Sequence, residues 1–409
     1  MSLTIQAARL WDSIMELAQI GGTPDGGVSR LTLTALDREA RDLFTRWVAA
    51  AGCQVAIDPI GNMFARREGQ EADFAPVLVG SHLDTQPSGG KFDGIYGVMA
   101  GLEIIRTLND RGIETKRPIE VVNWTNEEGS RFAPVMMGSA VYAGARGLKE
   151  TLATVDRNGI SVADALNEIG YAGDADLSNR PIHACLEAHI EQGPVLEQKG
   201  VPIGIVTGGY GLRWFDIDIH GRESHAGTTP MGLRQDALVA AAEIISKLTA
   251  MAIRFEPEAR ITIGDLSIAP GSRNTVPGHV QLKVDARHPE AAVLDQIEQE
   301  ITTLCREVQS GRGTRTEIVK VADNAPVRFS AEVIAQLREA AQAIDALAID
   351  LVSGAGHDAF HVARIAPAGM VFVPCAGGLS HTPLESATPE DLALGCEVLY
   401  RAVLALANS

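Results

Sequence analysis

The order of apolar and polar positions predicts a parallel sheet in the first part of the chain. "APVLVGSHLDT" (75–85) and "RPIEVVNWTNEEG" (117–129) are apolar runs that end in polar residues, and "DGIYGVMAGLEIIRTLNDRG" (93–112) between them has helical spacing. A strand, a helix and a strand in this order are typical of parallel pairing. In open parallel sheets ligands bind beyond the carboxyl ends of the strands, so the polar residues at these ends are candidates for a functional site.

The pattern changes between residues 212 and 329. The predicted elements there are a strand "LRWFDIDIHG", a helix "QDALVAAAEIISKLTAMAIR", strands "ARITIGDLSIA" and "GHVQLKVDARHP", a helix "EAAVLDQIEQEITTLCREV" and a strand "TEIVKVA". This β-α-β-β-α-β order is ferredoxin-like. Helix and strand patterns of the first kind resume afterwards. We therefore expect an α/β protein in which a mostly parallel-sheet domain (1–211 and 330–409), with helices on both faces, carries an inserted ferredoxin-like α+β domain (212–329).

Composition narrows the classes of partner and location. The chain has 35 basic and 52 acidic residues and a net charge of -17, which repels phosphate backbones and anionic lipid surfaces. Nucleic acid is therefore not an expected partner. The sequence has no apolar run of about 18 residues and no signal-peptide pattern at its start. The five cysteines are scattered and form no C-x-x-C pair, which indicates reduced thiols. Taken together, these features lead us to expect a cytoplasmic protein without membrane association.

Three residues with metal-binding chemistry lie around the first predicted strand end. His82 and Asp84 are two apart in an extended segment and point the same way, and Asp93 follows a glycine-rich loop. A lone His-x-Asp is also common as a surface hydrogen-bonded pair. The glycines do not match a phosphate-binding loop, because they miss the G-x-G-x-x-G spacing and Asp93 stands where an anion would bind. They more readily allow the backbone to bend so that Asp93 turns inward.

Two adjacent carboxylates, Glu127 and Glu128, follow the second strand. They could be a charge pair at a helix N-terminus. A dinuclear metal site gives a chemical reason for the pair, because one carboxylate can bind metal while the other moves the proton of the attacking water.

Two further clusters have the same character. "CLEAHIEQGPVLE" carries Glu187, His189 and Glu191, and "VPCAGGLSHTPLE" carries His381 after another apolar run. Three of the four clusters follow a buried strand and the other lies within one, so we expect them to converge on one edge of the sheet. The "HDAFH" spacing of His357 resembles a zinc-protease helix, but its second position is Asp and not Glu, so we expect a structural role there.

The stretches "GSHLDTQPSGGKFDGIYGV", "NWTNEEGSRF", "HIEQGPVLE", "SHAGTTPM" and "GAGHDA" occur in this order along the chain. They resemble the hydantoinase/carbamoylase-type amidases of the dinuclear metallo-aminoacylase and carboxypeptidase family, which includes N-carbamoyl-L-amino acid hydrolases, β-ureidopropionase and allantoate amidohydrolase. The resemblance extends over nearly the whole chain. It implies an enzyme, a hydrolase of carbon–nitrogen bonds.

The resemblance also implies a metal site. Two divalent ions, Zn²⁺ or else Mn²⁺, Co²⁺ or Ni²⁺, would share Asp93, and Glu127 would be the general base. Asp84 would orient the ring of His82. The five implied metal ligands are His82, Asp93, Glu128, His189 and His381.

Substrate recognition is assigned largely to the inserted domain. Arg287 could be one member of a surface ion pair, but the resemblance favours bidentate binding of a substrate carboxylate. By the same resemblance His225 would stabilise the oxyanion and Asn274, Gln192 and the backbone of Gly356 would complete the pocket. The insert would act as a lid and as the dimerisation domain of a homodimer, in which some of these contacts come from the partner subunit.

The expected reaction is hydrolysis of the ureido C–N bond of N-carbamoyl-L-α-amino acids to amino acid, ammonia and carbon dioxide. Allantoate is disfavoured because the arginine expected where the insert opens is offset in "GYGLRWFD", with Arg213 beside Trp214. β-Ureidopropionase needs the same carboxylate clamp one methylene further away, and a dipeptidase or deacylase is the remaining alternative. An inactive interaction module would be free to lose Glu127 or a ligand, whereas this chain keeps all six residues.

Overall fold

The computed structural model describes residues 4–409. Its strands are β1 (Gln54–Ile57), β2 (Met63–Arg67), β3 (Val77–His82), β4 (Ile119–Trp124), β5 (Ala184–Ile190), β6 (Ile203–Gly209), β7 (Gly211–His220), β8 (Ser224–His225), β9 (Arg260–Ala269), β10 (Thr275–Val276), β11 (His279–His288), β12 (Arg315–Asn324), β13 (Val327–Arg328), β14 (Ala348–Ser353) and β15 (Ala368–Val373). Its α-helices are α1 (Ala7–Leu17), α2 (Ala35–Ala50), α3 (Ile95–Asp110), α4 (Met137–Tyr142), α5 (Leu148–Leu152), α6 (Val162–Ile169), α7 (Val195–Lys199), α8 (Ala237–Arg254), α9 (Ala291–Arg312), α10 (Ala331–Gln342), α11 (Asp358–Val362) and α12 (Pro389–Asn408).

The chain divides into two compact units. The first comprises Met1–Gly208 and Arg328–Ser409, and the second comprises Gly209–Val327. The roles of lid and dimerisation domain for the second unit stay predictions. Among residues 4–409, no helix combines the length and the apolar character that crossing a membrane requires.

The first unit is built on a sheet with the strand order β1-β2-β4-β3-β5-β15-β6-β13, and β14 also pairs with β6. Its four central strands, β4, β3, β5 and β15, are parallel. The pairs β1–β2, β2–β4 and β15–β6 are antiparallel. The predicted α/β class with a parallel central sheet is therefore confirmed, with antiparallel strands added at its margins.

The central strands are buried at every position. Such strands read as continuous apolar runs because helices cover the sheet. Helix α3 contacts β3, β4 and β5, and α12 contacts β5 and β15. At Gly97 of α3, a Cβ would lie 2.6 Å from the carbonyl oxygen of Ala188, so only glycine lets the helix approach this closely. This packing fixes the start of α3 beside the carboxyl ends of the parallel strands.

The second unit is a four-stranded antiparallel sheet with the order β12-β7-β11-β9. With α8 after β7 and α9 after β11, this is the strand order of a ferredoxin-like fold. Side chains alternate along the strands: Phe215, Ile217 and Ile219 of β7 pack in one apolar core with residues of both helices, such as Leu248 and Ile301. The opposite face of the sheet carries the polar side chains.

Candidate metal centre

The structure brings the polar strand-end residues of the first unit together. His82 is the last residue of β3, Glu127 and Glu128 follow β4, His189 lies in β5, and His381 follows β15. These four strands are parallel neighbours, so their carboxyl ends meet at one edge. The side chain of His381 is 51% exposed, whereas the others are buried. The cluster therefore lies at the surface end of a buried sheet, where solutes can reach it.

Asp93 is the centre of the cluster. Its Oδ1 lies 3.2 Å from Nε2 of His189 and 3.7 Å from Nε2 of His82. Its Oδ2 lies 3.2 Å from Nε2 of His381, which is itself 3.5 Å from Oε2 of Glu128. The ligand atoms of His82, Asp93 and His189 lie within 4.8 Å of one another, as do those of Asp93, Glu128 and His381. One carboxylate is thus shared by two groups of potential ligands.

The loop before α3 holds Asp93 in this place. Gly94 has a φ of 72°, and a Cβ there would meet the His82 ring at 2.3 Å. From the other end of the chain, Oε1 of buried Glu385 accepts the backbone N–H groups of Phe92 at 2.9 Å and Asp93 at 3.1 Å. Glycine is therefore required at position 94, and Glu385 anchors the backbone that carries the shared carboxylate.

Two further side chains contact the Asp93 carboxylate. Nε2 of Gln192 lies 2.9 Å from Oδ2 of Asp93 and 3.1 Å from Oγ of Ser380. Ser380 Oγ is 3.0 Å from that same Oδ2 and 3.0 Å from Oε2 of Glu385. Gln192, which the resemblance assigns to the substrate pocket, thus donates to Asp93 in this structure.

The buried histidines are oriented by main-chain carbonyls. Nδ1 of His82 donates to the carbonyl oxygen of Asp84 at 2.9 Å, and Nδ1 of His189 donates to that of Ile190 at 2.9 Å. Both rings therefore direct Nε2 at Asp93, as a neutral imidazole ligand requires. The Asp84 carboxylate is 3.7 Å from the His82 ring, and it accepts instead the amides of Glu127 and Glu128 at 3.4 and 3.3 Å. Asp84 thus orients His82 through its backbone and contacts the glutamate pair through its side chain.

The two adjacent glutamates have different neighbours. Glu128 receives the backbone N–H and the side-chain amide of Gln86 at 3.0 and 2.7 Å, and it faces His381. Glu127 has its Oε2 3.5 Å from Nε2 of His82, on the other side of Asp93. The doublet therefore supplies one carboxylate to each half of the cluster.

Burial and the contacts with Asp93 shift the pKa values of the cluster in opposite directions. Burial lowers the pKa of His189, but the hydrogen bond and charge of Asp93 outweigh it and raise that pKa to about 9. Burial, with the charges of Asp358 and Glu128, raises the pKa of Glu127 well above its usual range. Burial and the charge of Asp93 raise the pKa of Glu128 to about 8. Burial lowers the pKa of His82 to about 4, so that its imidazole is neutral at pH 7. The hydrogen bond to Asp93 raises the pKa of His381 to about 9.

The residues present fit divalent cations. The buried carboxylates of this region are Asp84, Asp93, Glu127, Glu128, Glu187, Asp358 and Glu385. Burial and the charge of Glu187 raise the pKa of Asp358 well above its usual range. The nearby buried guanidinium of Arg41 is bonded to Asp37, to the carbonyl of Gly61 and to Thr125. Bound cations would offset the mutual repulsion, and the mixture of imidazole and carboxylate suits Zn²⁺, Mn²⁺, Co²⁺ or Ni²⁺.

His357 and Gly356 lie beside this cluster in the first unit. The His357 ring is buried with its centroid 4.7 Å from that of His189, and its Nε2 is 2.9 Å from Oγ of Ser353. Its ligand atom lies within 4.8 Å of those of Glu187 and His189, and the structural role expected for "HDAFH" stays a prediction. At Gly356 an added Cβ would lie 3.0 Å from Cε of Met136.

The remaining candidates lie in the second unit. Arg287 donates to the carboxylate of Asp285 at 3.0 and 2.9 Å. His225 is exposed, and its Nδ1 accepts the backbone N–H groups of Gly227 and Thr228 at 3.0 and 3.2 Å, which leaves its proton on Nε2. The carbonyl of Asn274 accepts the N–H of Ala226 at 2.9 Å, so the β8–β10 pair brings His225 and Asn274 together.

Arg213, which stands beside the position where an allantoate enzyme is expected to carry an arginine, is bound within the second unit. Its guanidinium forms ion pairs at 2.6 Å with Asp295, 2.8 Å with Glu298 and 3.0 Å with Asp323. Only 10% of its side chain is exposed. These contacts indicate a structural role for Arg213 within the second unit.

Sequence reasoning missed Glu385, Ser380 and Gln86. Glu385 and Ser380 stand beside His381 in "SHTPLE", and Gln86 follows Asp84 in "LDTQP". The signal in the sequence was that these residues stand next to, or a few positions from, other site residues. Their roles depend on contacts made by folding, such as the approach of Glu385 to Phe92.

Known proteins of similar sequence and structure cover the whole chain. The N-carbamoyl-L-amino-acid amidohydrolase of Rhizobium meliloti is 46% identical over 408 residues, which is 99% of this chain and 97% of that protein. The N-carbamoyl-L-amino acid amidohydrolase of Geobacillus stearothermophilus is 43% identical over 409 residues, 99% of each chain. A crystal structure of an amidase of the hydantoinase/carbamoylase family from Burkholderia multivorans superposes with a TM-score of 0.96 at 48% identity over 100% of both chains. The model of peptidase family M20/M25/M40 matches residues 78–405. The resemblance to hydantoinase/carbamoylase amidases is thus confirmed, and the chain belongs to peptidase family M20/M25/M40.

Proposed function

We propose that this protein is a metal-dependent amidohydrolase that cleaves the ureido C–N bond of N-carbamoyl-L-α-amino acids. The products are the amino acid, ammonia and carbon dioxide. The observation that carries the proposal is the sharing of the Asp93 carboxylate by two groups of ligand atoms, with Glu127 beside it. The names of the similar proteins from Rhizobium meliloti and Geobacillus stearothermophilus support the choice of substrate.

The residues proposed to hold two divalent ions are His82, Asp93, Glu128, His189 and His381. When bound, the ions supply positive charge that favours hydroxide over water at neutral pH and polarises the substrate carbonyl. Asp93 would help to hold both ions, because its Oδ1 faces His189 and its Oδ2 faces His381. Zn²⁺ is the ion that this donor set suits first, with Mn²⁺, Co²⁺ and Ni²⁺ as alternatives.

Glu127 is the proposed carrier of the proton. Its carboxylate takes the proton of the attacking water and passes it to the departing nitrogen. Burial and neighbouring charges raise its pKa, so the carboxylate binds a proton more readily than an exposed glutamate does. Asp84 would hold this carboxylate in place by accepting the Glu127 amide.

Arg287 of the second unit is the proposed binding group for the substrate carboxylate. Its guanidinium already makes a fork with Asp285, which is the geometry that a substrate carboxylate would take. His225 would donate from Nε2 to the oxyanion, and Asn274, Gln192 and the Gly356 backbone would contact the substrate. We also propose that the second unit acts as a lid and joins two subunits in a cytoplasmic homodimer.

Steady-state rates on four substrates test the proposal. The metal-reconstituted protein is assayed on an N-carbamoyl-L-α-amino acid, N-carbamoyl-β-alanine, allantoate and a dipeptide, with the Glu127→Gln variant as the control for contaminating activity. We expect the highest kcat/KM on the N-carbamoyl-L-α-amino acid. A preference for allantoate or N-carbamoyl-β-alanine would move the protein to a neighbouring activity, and no turnover of any ureido compound would overturn the proposal.

A further inference from the structure

A second group of metal-binding side chains lies on the open face of the sheet in the second unit. Asp218 and His220 are two apart in β7, and His279 is the cross-strand partner of His220 in β11. Their neighbours Ile217 and Ile219 point to the helix-covered face and are fully buried. Because side chains alternate along a strand, Asp218, His220 and His279 all project from the opposite face.

The three side chains are close enough to bind one ion. Their ligand atoms all lie within 4.8 Å of one another. Nε2 of His279 is 2.8 Å from Oδ1 of Asp218, and the rings of His220 and His279 are stacked with centroids 4.9 Å apart. Gln281, the cross-strand partner of Asp218, donates its amide to both carboxylate oxygens at 3.3 and 3.2 Å. The carboxylate is therefore already oriented toward the two rings.

One donor atom of this group has no partner of its own. Nε2 of His220 is inaccessible to solvent and makes no hydrogen bond to any residue among 4–409. Buried polar nitrogens usually have a partner, so this nitrogen is available to bind a metal ion. The cation opposite His220 in β12, Arg315, forms an ion pair with Glu317. The side chains of His279 and Asp218 are 38% and 24% exposed, which leaves room for water as additional ligands.

We propose that Asp218, His220 and His279 form a binding site for one divalent transition-metal ion, with Zn²⁺ as the reference ion. Two imidazoles and one carboxylate with open coordination positions are a donor set that Zn²⁺ and its neighbours prefer. Because the ligands come from β7 and β11, the ion would link the two central strands of the second unit. The site shares no residue with the Asp93 cluster, and it does not depend on the catalytic proposal.

Zinc content measured on the full-length protein tests this site. Wild type, the His220→Asn/His279→Asn double variant and a His183→Asn control are dialysed against the same buffered Zn²⁺ at neutral pH, and zinc per chain is determined. His183 forms a side-chain hydrogen bond with Ser409 and belongs to neither proposed metal site, so its loss controls for removing a histidine. We expect the double variant to hold one zinc ion fewer per chain than wild type and the control. Its kcat on the ureido substrate should stay within about twofold of wild type.

The readout is a difference between variants, so it separates this site from the dinuclear one. If the Asp93 cluster bound no metal, total zinc would fall in all three proteins, but the difference of one ion would remain. Equal zinc content in wild type and the folded double variant would overturn the proposal. Should the double variant not fold, zinc anomalous diffraction from wild-type crystals decides the question. A peak beside His220 and His279 supports the site, and the absence of one at saturating Zn²⁺ rejects it.

Discussion

The Asp93 cluster of the first unit and the open sheet face of the second unit use charged residues in opposite ways. In the second unit, acids and bases pair with each other at the surface, as Lys283 does with Asp265 and Arg287 with Asp285. In the first unit, buried carboxylates face histidines and one another. Surface pairs are worth about 0–1 kcal/mol each and need no ligand. Buried like charges are costly unless cations compensate them, so we expect metal ions to have the larger effect in the first unit.

The largest expected effect is a loss of turnover that distinguishes Glu127 from its neighbour Glu128. Glu127→Gln removes the proposed proton carrier and should lower kcat by roughly a hundredfold to ten-thousandfold while metal content is unchanged. Glu128→Gln, the matched control one residue away, should lower metal content because Glu128 faces His381. Rates and bound metal are measured on both variants. Loss of metal in Glu127→Gln, or the same behaviour in both, would contradict the division of roles.

Variants of Glu385 test how strongly metal binding by the Asp93 cluster depends on the two hydrogen bonds that Glu385 accepts. Glu385→Ala removes the acceptor of the Phe92 and Asp93 amides, which leaves the shared carboxylate less well positioned. Metal affinity should fall by about tenfold to a hundredfold. The test is competition with a chelator, in which Glu385→Gln should keep most of the affinity because its amide oxygen can accept the same two N–H groups. Unchanged affinity in Glu385→Ala would show that the anchor is dispensable.

A variant of Arg287 tests whether this arginine, which is paired with Asp285, also binds the substrate carboxylate. Arg287→Lys keeps the charge and loses the bidentate fork, so kcat/KM should fall by about tenfold, mainly through KM. Metal content should not change. As a matched control, Arg315→Lys alters an exposed arginine paired with Glu317 on the same sheet, and its kinetics should equal those of wild type. Equal kinetics for Arg287→Lys would leave Arg287 as a surface ion pair.

The smallest expected effect is on the pH dependence of stability. Without metal, Glu128 and His381 have pKa values of about 8 and about 9, above their usual values of 4.5 and 6.5. Between pH 7 and 9 the folded chain then binds more protons than the unfolded chain, so the free energy of unfolding falls as pH rises. The melting temperature of EDTA-treated protein should be on the order of 5 °C lower at pH 9 than at pH 7.

The metal-loaded protein is the control for the pH experiment. Its ligands are held unprotonated at both pH values, so its melting temperature should fall less. The stabilisation by metal should therefore increase with pH. An EDTA-treated protein that melts at the same or a higher temperature at pH 9 would contradict the assignment of raised pKa values to these two groups.

Much of the fold could be predicted from sequence because the patterns are local. Continuous apolar runs ending in polar residues, such as the one before His82, marked the parallel strands, and the alternation in β7 marked the half-covered sheet of the second unit. The antiparallel margins were not predicted. Strands β2 and β6 carry no pattern that specifies the direction of their neighbour.

The site was predictable where chemistry is carried by residue type, and not where it depends on long-range contacts. His82, Asp93 and His189 could be recognised from their motifs, but the hydrogen bond from Phe92 to Glu385 joins positions 293 residues apart. The direction of a side chain also escaped prediction. Asp84 reaches His82 through its backbone carbonyl, and Gln192 donates to Asp93.

Anomalous diffraction from crystals of the zinc-reconstituted protein tests the central proposal most directly. We expect two zinc peaks on either side of the Asp93 carboxylate, one beside His82 and His189 and one beside Glu128 and His381. A single peak, or none at Asp93 in protein that is active, would contradict it.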